Sequence, residues 1–553
     1  MPTGNVTRHL RRAAQDNPEA CAVRVPCGTA PGGAIRYISR SFVELDRESD
    51  AAAEHFQRSG IAAGMRTLLL ARPGLDLILS MFALLKLGAV PVAIDPGLGL
   101  RPFLRCVRNI APRALVGTPF ALVLASFFPG TFRDATIRVR IGGGAFARVL
   151  RRIAPTLPGG GRPLFDATLP GAVGSAPAAI LFTSGSTGAP KGATYTHAML
   201  DAQLALVRDT YGIQPREVDL PMLPIFALFN PALGTTTVTP EMNPSRPATV
   251  DPRKIIRAIT QNGVTYSFGS PALWAKIACH CERHRVALPS LRRILIAGAP
   301  VPARLLQRLQ RIFPNATLHT PYGATEVLPV ATITATEILG GTVLETCQGR
   351  GTCVGRPLRG VSVKIIPIHD GPLRHLDEAG EMPRGGVGEI IVNSPSCSHE
   401  YAANPDATAL AKIHAPDGKI WHRMGDLGRL DAAGRLWFYG RKAERVQTSG
   451  ATLCTESVEA VFNQHPRVFR TALIGLGEPG QQTPALVIEP HSADFPRNAA
   501  ARLQFEGELR EWAKTCEATR VVEHFFFEKK FPVDPRHNAK IHRLALRKKY
   551  MRG

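Results

Sequence analysis

An apolar run followed at once by a loop rich in glycine and hydroxyl groups constrains the fold of this chain more than any other feature. The run, residues 178–182, has the composition of a buried parallel strand. The loop, residues 183–192, reads TSGSTGAPKG. Glycines let the backbone approach a ligand closely, and N–H groups, hydroxyls and a lysine can together bind phosphate oxygens. The sequence therefore predicts a phosphate-binding loop at the end of a sheet strand.

The order of residues in this loop differs from the phosphate loop of P-loop NTPases. That motif requires a glycine, four further residues and then Gly-Lys-Ser/Thr. Here Pro190 precedes Lys191 and Gly192 follows it. A kinase or a P-loop ATPase is therefore disfavoured.

Length and composition indicate a large chain with a sizeable core. The 553 residues exceed one ordinary domain, and 44% of them are hydrophobic. The start shows no apolar leader and no run has the length and apolarity of a membrane span, so we expect a cytoplasmic protein. The ten cysteines lack the spacing of a zinc site, and we expect reduced thiols.

The large excess of basic over acidic residues favours anionic ligands and partners. The formal net charge is +23. No motif typical of nucleic-acid binding is present, so we expect no nucleic-acid partner. Residues 138–162 are the most basic stretch, and we expect a mobile flap or a docking surface for a protein or a membrane there.

The first half of the chain alternates strand-like and helix-like segments. Residues 66–70, 89–94 and 293–297 have the pattern of strands, and residues 75–87 that of a helix. This alternation predicts an α/β fold with mostly parallel sheets flanked by helices, and ligands at the carboxyl ends of the strands.

The pattern changes toward the end of the chain. Residues 388–392 and 436–439 look like strands joined by turns. A compact α+β unit is expected from about residue 441, so we divide the chain into residues 1–440 and 441–553. The core face of a helix near residues 499–516 is expected to carry Leu503, Leu509, Trp512 and Cys516.

Six segments resemble, in the same order, the motifs of the adenylate-forming superfamily, which contains acyl-CoA synthetases, peptide-synthetase adenylation domains and luciferases. They are residues 183–192, 296–300, 322–326, 423–427, 440–445 and 532–543. The resemblance implies an N-terminal region that binds ATP and an acid and is closed by a small barrel-like subdomain. It also implies a smaller, mobile C-terminal domain that carries the catalytic lysine.

The resemblance also implies ATP and Mg²⁺ as cofactors, with the following site residues. Contacts to the phosphates of ATP are implied for Thr183, Ser184, Gly185, Ser186, Thr187, Gly188 and Lys191. Contacts to the nucleoside are implied for Gly298, Ala299, Pro300, Tyr322, Gly323, Thr325, Asp426 and Arg441, with Tyr322 stacked on adenine and Asp426 on the ribose hydroxyls. Thr183 and Glu326 are the implied magnesium contacts, and Lys540 is implied to bridge the substrate carboxylate and the α-phosphate.

Residues 223–229 resemble the acyl-pocket motif of the superfamily. Ile225, Phe226, Leu228 and Phe229 are the implied pocket walls. Ala227 stands where CoA ligases usually carry histidine or another polar or aromatic residue.

Further departures, Met424 and Ala539 among them, look most like the β-lactone synthetases of bacterial olefin biosynthesis. That resemblance implies adenylation of a long-chain 2-alkyl-3-hydroxy acid. The 3-hydroxyl then attacks the acyl-adenylate, which gives a β-lactone, AMP and pyrophosphate. Other enzymes of the olefin pathway are the implied partners. A long-chain fatty-acyl-CoA ligase and a catalytically inactive, basic scaffold remain as alternatives.

Overall fold

The computed structural model describes residues 4–153, 174–183, 189–223, 227, 229–243, 246–534 and 541–551. The strands, in chain order, are β1 (Cys21–Thr29), β2 (Ile35–Ser41), β3 (Arg66–Leu70), β4 (Val90–Ala93), β5 (Ala114–Gly117), β6 (Ile137–Arg140), β7 (Pro177–Thr183), β8 (Lys191–Thr196), β9 (Val218–Asp219), β10 (Thr236–Val238), β11 (Tyr266–Gly269), β12 (Arg293–Ile296), β13 (Thr317–Ala324), β14 (Val327–Thr334), β15 (Thr352–Pro357), β16 (Ser362–Ile366), β17 (Gly388–Asn393), β18 (Lys412–His414), β19 (Ile420–Leu430), β20 (Leu436–Arg441), β21 (Val446–Gln447), β22 (Thr452–Leu453), β23 (Val468–Leu476), β24 (Thr483–Pro490) and β25 (His524–Phe527).

The helices, in chain order, are α1 (Arg8–Asp16), α2 (Phe42–Arg58), α3 (Leu75–Lys86), α4 (Leu100–Ile110), α5 (Pro119–Phe127), α6 (Gly143–Ile153), α7 (His197–Tyr211), α8 (Pro252–Asn262), α9 (Pro271–His284), α10 (Ala303–Ile312), α11 (Ala335–Glu337), α12 (Val343–Cys347), α13 (Pro405–Ala411), α14 (Thr455–Phe462), α15 (Ala499–Ala513) and α16 (Arg543–Tyr550). Within the ranges that the structure describes, each helix is too short or too polar to cross a bilayer.

A six-stranded sheet in the order β6-β5-β3-β4-β7-β8 carries the predicted phosphate-loop strand. All its pairings are parallel except that of β7 with β8. Leu68 packs among residues of α4 and α5, whereas its neighbour Leu69 packs among residues of α2 and α3. Because successive side chains on a strand point to opposite faces, both faces of this sheet are buried by helices.

A second, longer sheet contains a parallel half and an antiparallel half. Strands β13-β12-β11-β9-β10-β1 run parallel, and β14, β15, β20, β19, β17 and β16 continue the sheet in antiparallel pairing. This antiparallel continuation contains the strands expected from residues 388–392 and 436–439.

Helix α7 lies between the two sheets. Its Leu200 and Leu204 pack with the first sheet's core, whereas Tyr211 packs with Phe268 and Leu295 of the second sheet. The two sheets therefore meet across α7.

The last part of the chain has a core of its own. Strand β24 pairs with β23 in antiparallel and with β25 in parallel orientation. The core face of α15 is formed by Phe505, Leu509 and Ala513, all of them buried. The expectation for Leu503 was wrong, because that side chain is 66% exposed, and Cys516 lies beyond the end of the helix.

The basic stretch is partly built into the fold. Residues 138–153 contribute to β6 and α6, where Val139, Phe146 and Leu150 are buried. The expectation of a mobile flap was wrong for this part. Residues 154–162 lie outside the described residues.

Candidate active site

The predicted phosphate loop connects two antiparallel strands, β7 and β8. Thr183 is paired with Lys191 at the ends of these strands, so both ends of the loop are fixed. A Cβ atom on Gly192 would lie 2.9 Å from the Ile180 side chain, so this position requires glycine. Residues Ser184, Gly185, Ser186, Thr187 and Gly188, with the side chain of Thr183, lie outside what the structure describes.

A segment far along the chain pairs with β8 directly after this loop. The Thr194 N–H donates to the Glu400 carbonyl at 3.1 Å, and the Ala402 N–H donates to the Gly192 carbonyl at 2.7 Å. This pairing brings the ring of Tyr401 to 5.1 Å from the Lys191 ammonium group. Tyr401 is thereby fixed beside the lysine of the predicted loop.

The hairpin between β13 and β14 presents Glu326. Ala324 pairs with Val327, so Thr325 and Glu326 form the turn. A Cβ atom on Gly323 would lie 2.8 Å from the Val327 carbonyl oxygen, which leaves room only for glycine. The Tyr195 hydroxyl donates to the Thr325 carbonyl, and this contact ties the turn to β8.

The Glu326 carboxylate is 8% exposed. Its Oε1 atom accepts a hydrogen bond of 2.6 Å from the Tyr401 hydroxyl. Within the described part of the chain no lysine, arginine or histidine nitrogen forms an ion pair with it. A buried carboxylate without a cationic partner suits a hard metal ion such as Mg²⁺, which prefers oxygen ligands and often takes only one or two from a protein.

A second cluster joins Tyr322, Asp426 and Arg441. The Tyr322 hydroxyl donates to Asp426 Oδ2 at 2.7 Å, and Arg441 Nη1 lies 2.8 Å from Asp426 Oδ1. Asp426 and Arg441 are register partners on β19 and β20, which explains their contact. Burial raises the pKa of Tyr322 well above its usual value, and Asp426 raises it further. Asp426 also raises the pKa of Arg441.

The two clusters belong to one site. Tyr322 lies on β13 and Glu326 lies in the turn that follows this strand, so one hairpin carries a member of each cluster. Burial is the main cause of the raised pKa of Tyr401, and the charge of Glu326 raises this pKa further.

The loop after β12 completes the arrangement. Leu295 pairs with His319 in parallel register, and Gly298 and Tyr322 each lie three residues further along their own segments. Gly298 has φ +96°, a conformation that favours glycine. Gly298 and Pro300 are exposed and Ala299 is half-buried, so this backbone is open to a ligand.

The sequence did not identify a buried cation near Tyr401, Lys412, whose Nζ lies 5.8 Å from the centre of the Tyr401 ring. Lys412 is 2% exposed and donates to the Ser398 carbonyl and, at 3.1 Å, to His422 Nδ1. Burial lowers the pKa of Lys412, and burial followed by the charge of Lys412 lowers the pKa of His422 well below its usual value. Lys412 and His422 are cross-strand partners, a relation that no local sequence pattern displays.

Glu389 is another residue that sequence reasoning missed. It is fully buried, with Arg423 Nη2 at 2.7 Å and Lys442 Nζ at 3.0 Å. This pair of contacts ties the strand that carries Asp426 to the segment that follows Arg441.

An apolar cavity of about 40 Å³ lies between α7 and the second sheet. Its wall includes Phe229, one of the four predicted acyl-pocket residues. The other three, Ile225, Phe226 and Leu228, lie outside the described residues, as does Lys540. Ala227 lines a separate cavity of about 20 Å³ with Ile78 and Met222.

Comparisons with known proteins identify the family of this chain. The family described as AMP-binding enzyme matches residues 10–402. Olefin β-lactone synthetases from Xanthomonas campestris pv. campestris and Stenotrophomonas maltophilia are each 42% identical over 98% of this chain, and the match covers 96% and 97% of their own lengths. The structure of an amide bond synthetase from Marinactinospora thermotolerans has a TM-score of 0.77 at 23% identity and covers 99% of both chains. The chain belongs to the AMP-binding enzyme family, and it is similar over nearly its full length to olefin β-lactone synthetases.

Proposed function

We propose that this protein is an AMP-forming ligase that converts a long-chain 2-alkyl-3-hydroxy acid into a β-lactone. The observation that carries the proposal is the contact of Tyr322, Asp426 and Arg441, together with the exposed loop at Gly298 just past the end of β12, the strand that neighbours β13. We infer that these four segments form one face suited to a nucleoside. Full-length similarity to olefin β-lactone synthetases supports the second half of the reaction.

We assign the nucleoside to this face. Adenine would lie between the Tyr322 ring and the backbone of residues 298–300, because an aromatic face and an exposed glycine backbone can enclose a planar base. Asp426 would accept hydrogen bonds from the ribose hydroxyls, and Arg441 holds its carboxylate in place at 2.8 Å.

Glu326 is the described residue that fits Mg²⁺ best. Its Oε1 atom is bound by Tyr401, which leaves Oε2 for the ion. Mg²⁺ supplies positive charge that offsets the phosphate charge of ATP. Thr183 and the loop residues 184–188, with Lys191, are proposed to bind the phosphates.

Adenylation makes the carboxyl group reactive. The carboxylate oxygen attacks the α-phosphate and pyrophosphate leaves. The 3-hydroxyl oxygen then bonds to the carboxyl carbon, the bond from that carbon to the AMP oxygen breaks, and AMP leaves with the electron pair while the hydroxyl proton passes to a base. Because the attacking oxygen is tethered to the electrophile, ring closure gains the rate advantage of an intramolecular reaction.

The C-terminal part is proposed to act as a separate domain, residues 441–553, that delivers Lys540 to the reacting groups. Its own core of Phe462, Leu486 and Leu509 supports this division. Arg543, close behind Lys540 in the chain, is held by Glu444 at 2.9 Å and by Glu459 at 2.6 Å. These contacts anchor the end of the lysine-bearing segment to the residues that follow Arg441.

The location and the partners of the enzyme are inferred from its cysteines and from its net charge. We propose a cytoplasmic location, which unpaired thiols at all ten cysteines support. The net charge of +23 supports contact with acidic partners or an anionic membrane surface, and we propose other olefin-pathway enzymes as partners.

Product analysis without coenzyme A tests the proposed function. The protein is incubated with ATP, Mg²⁺ and a 2-alkyl-3-hydroxy acid, and the products are identified by mass spectrometry. We expect a β-lactone with AMP and pyrophosphate. A thioester formed only when coenzyme A is added would indicate an acyl-CoA ligase instead, and no pyrophosphate under either condition would indicate an inactive scaffold.

A further inference from the structure

A buried acid lies in the mostly apolar wall of the 40 Å³ cavity. Asp219 lies on β9, is 1% exposed and lines this cavity with Phe268 and Leu295. Burying a carboxyl group among apolar side chains is costly unless its oxygens are hydrogen-bonded. The hydrogen-bond partners of its two oxygens therefore determine whether Asp219 can bind a ligand.

One oxygen of Asp219 ends a chain of hydrogen bonds with a defined direction. The Tyr266 hydroxyl donates to Asn230 Oδ1 at 3.1 Å, and Asn230 Nδ2 donates to Asp219 Oδ2 at 2.7 Å. Thr235 Oγ1 lies 3.0 Å from the Tyr266 hydroxyl and holds the far end of the chain. This series of hydrogen bonds fixes the orientation of the Asp219 carboxyl group and involves only its Oδ2 atom.

The other oxygen, Oδ1, has no hydrogen-bond partner among the described residues, because the Leu220 N–H, which lowers the pKa of Asp219, donates to the Tyr266 carbonyl at 3.3 Å. Leaving such a buried atom unsatisfied costs about 1–3 kcal/mol. Burial, offset in part by Asn230, raises the pKa of Asp219 to about 8. The group therefore offers an O–H donor at neutral pH and an acceptor once ionised, and an alcohol can complement either form.

The wall of the cavity that Asp219 lines includes sequence neighbours of the proposed nucleotide contacts. Its wall includes Pro321, which directly precedes Tyr322, and Leu295, which lies three residues before Gly298. Phe229, from the acyl-pocket motif, forms another part of the wall. A volume of about 40 Å³ holds a hydroxyl-sized group, since a water needs about 10–15 Å³ on this measure.

We propose that Asp219, oriented by Asn230 and Tyr266, is the subsite that binds the 3-hydroxyl group of the acid substrate. This inference rests on the proposed function and adds a specificity-determining residue to it. The 3-hydroxyl satisfies Oδ1, whereas an acid without that hydroxyl leaves it unpaired in an apolar cavity. A site built around a hydrogen bond rejects the analogue that lacks the group, here by roughly tenfold to a hundredfold.

The test compares two acids of equal chain length, one with and one without the 3-hydroxyl. The specificity constant for pyrophosphate release is measured for each acid with the wild type and with Asp219→Leu. We expect the wild type to prefer the hydroxy acid and Asp219→Leu to lose that preference by retaining activity on the 3-deoxy acid. Asp219→Asn, whose amide can still form a hydrogen bond with an alcohol, is expected to keep most of the preference for the hydroxy acid.

Thr237→Val is the matched control. Thr237 lies on the neighbouring strand β10, is fully buried and has an unpartnered Oγ1, but it does not line the cavity. The control is expected to keep the preference. If Asp219→Leu fails to fold, Tyr266→Phe removes the hydroxyl that orients Asn230 and is expected to weaken the preference in the same direction.

Two results would overturn the inference while the proposed function stands. One is a folded Asp219→Leu variant that still prefers the hydroxy acid as the wild type does. The other is a wild type that forms lactone yet adenylates both acids equally well. Absence of pyrophosphate release from the wild type with either acid would instead contradict the proposed function itself.

Discussion

At the scale of single residues, Asp426 joins two of the proposed nucleotide contacts. It accepts a hydrogen bond from Tyr322 and forms an ion pair with Arg441. Asp426→Asn keeps the shape of the side chain but removes the charge that holds Arg441. We expect ATP to bind about tenfold to a hundredfold more weakly, which isothermal titration calorimetry measures.

Asp431→Asn is the control for this variant. Asp431 is also a buried acid of the β19–β20 hairpin, but it accepts from Trp437 Nε1 at 2.9 Å and Arg435 Nε at 2.7 Å. Its substitution is expected to lower the melting temperature and to leave ATP affinity unchanged. Normal ATP affinity in Asp426→Asn would contradict the assignment.

Tyr401 is a positioning residue for Glu326. Tyr401→Phe keeps the ring beside Lys191 but loses the hydroxyl that binds Oε1. Groups that orient a metal ligand typically account for at least tenfold in metal affinity. We therefore expect about tenfold more Mg²⁺ to be needed before ATP raises the melting temperature, measured by thermal shift over a Mg²⁺ titration.

The control is Tyr439→Phe, which removes a hydroxyl bound to Arg429 at 3.0 Å. Its Mg²⁺ requirement is expected to match that of the wild type. An unchanged requirement in Tyr401→Phe, at a normal melting temperature, would show that Glu326 is held without this hydroxyl.

The buried carboxyl group of Asp219 predicts a pH-dependent stability difference. Its folded pKa, about 8, is above the usual value, so the folded state binds a proton that the unfolded state has lost. The stability that this proton provides is complete at low pH and declines as pH rises toward about 8. Asp219→Asn cannot ionise, so its advantage in melting temperature over the wild type is expected to grow between about pH 4 and about pH 8 and then to level off.

Neighbouring groups do not produce this profile. Glu217 is paired with Arg293 at 2.5 Å, and burial raises the pKa of Tyr211 and of Tyr266 above this range. A constant difference in melting temperature across the range would contradict a carboxyl group that titrates near pH 8.

At the scale of elements, the β13–β14 hairpin positions Glu326 through the close packing at Gly323. A Cβ atom there would meet the Val327 carbonyl at 2.8 Å. Gly323→Ala is therefore expected to destabilise the fold by about 1–3 kcal/mol, measured by urea denaturation. Gly507→Ala in α15, with nothing within 4 Å of its Cβ, is expected to be neutral or stabilising by up to about 1 kcal/mol. Equal effects would contradict the steric argument.

Elements with strong local patterns were predictable from the sequence. The strand at residues 66–70 and the helix beginning at Leu75 occur as expected, because their apolar periodicity sets their burial. Leu503 was misplaced because α15 buries positions 505, 509 and 513, spaced by one helical turn. A choice between neighbouring faces depends on what the helix packs against.

Motif order predicted which segments should meet, and Tyr322, Asp426 and Arg441 do meet. Polar groups whose partners are remote in sequence were not predictable. Tyr401 reaches Glu326 only because residues 400–402 pair with β8. Asp219 is recognisable as a buried acid only once its cavity is formed.

At the scale of the whole molecule, two sheets, α7 and the antiparallel continuation of the second sheet converge on one site. The first sheet supplies the strands on either side of the proposed phosphate loop, and the second supplies Gly298, Tyr322 and Glu326. Strands β19 and β20 supply Asp426 and Arg441. The residues proposed to bind the nucleotide and the metal thus come from both sheets, and adenylation requires ATP and the acid to be aligned in one site.

The fate of the carboxyl oxygens shows whether the enzyme activates the carboxyl group or the 3-hydroxyl group of its substrate. A 2-alkyl-3-hydroxy acid with heavy oxygen in both carboxyl positions is converted with ATP and Mg²⁺, and AMP and lactone are examined by mass spectrometry. If the carboxyl group is adenylated and the 3-hydroxyl closes the ring, AMP gains one heavy oxygen and the lactone keeps the other in its carbonyl group. Unlabelled AMP together with a lactone that retains both heavy oxygens would contradict the account, because the hydroxyl rather than the carboxyl group would then have been activated.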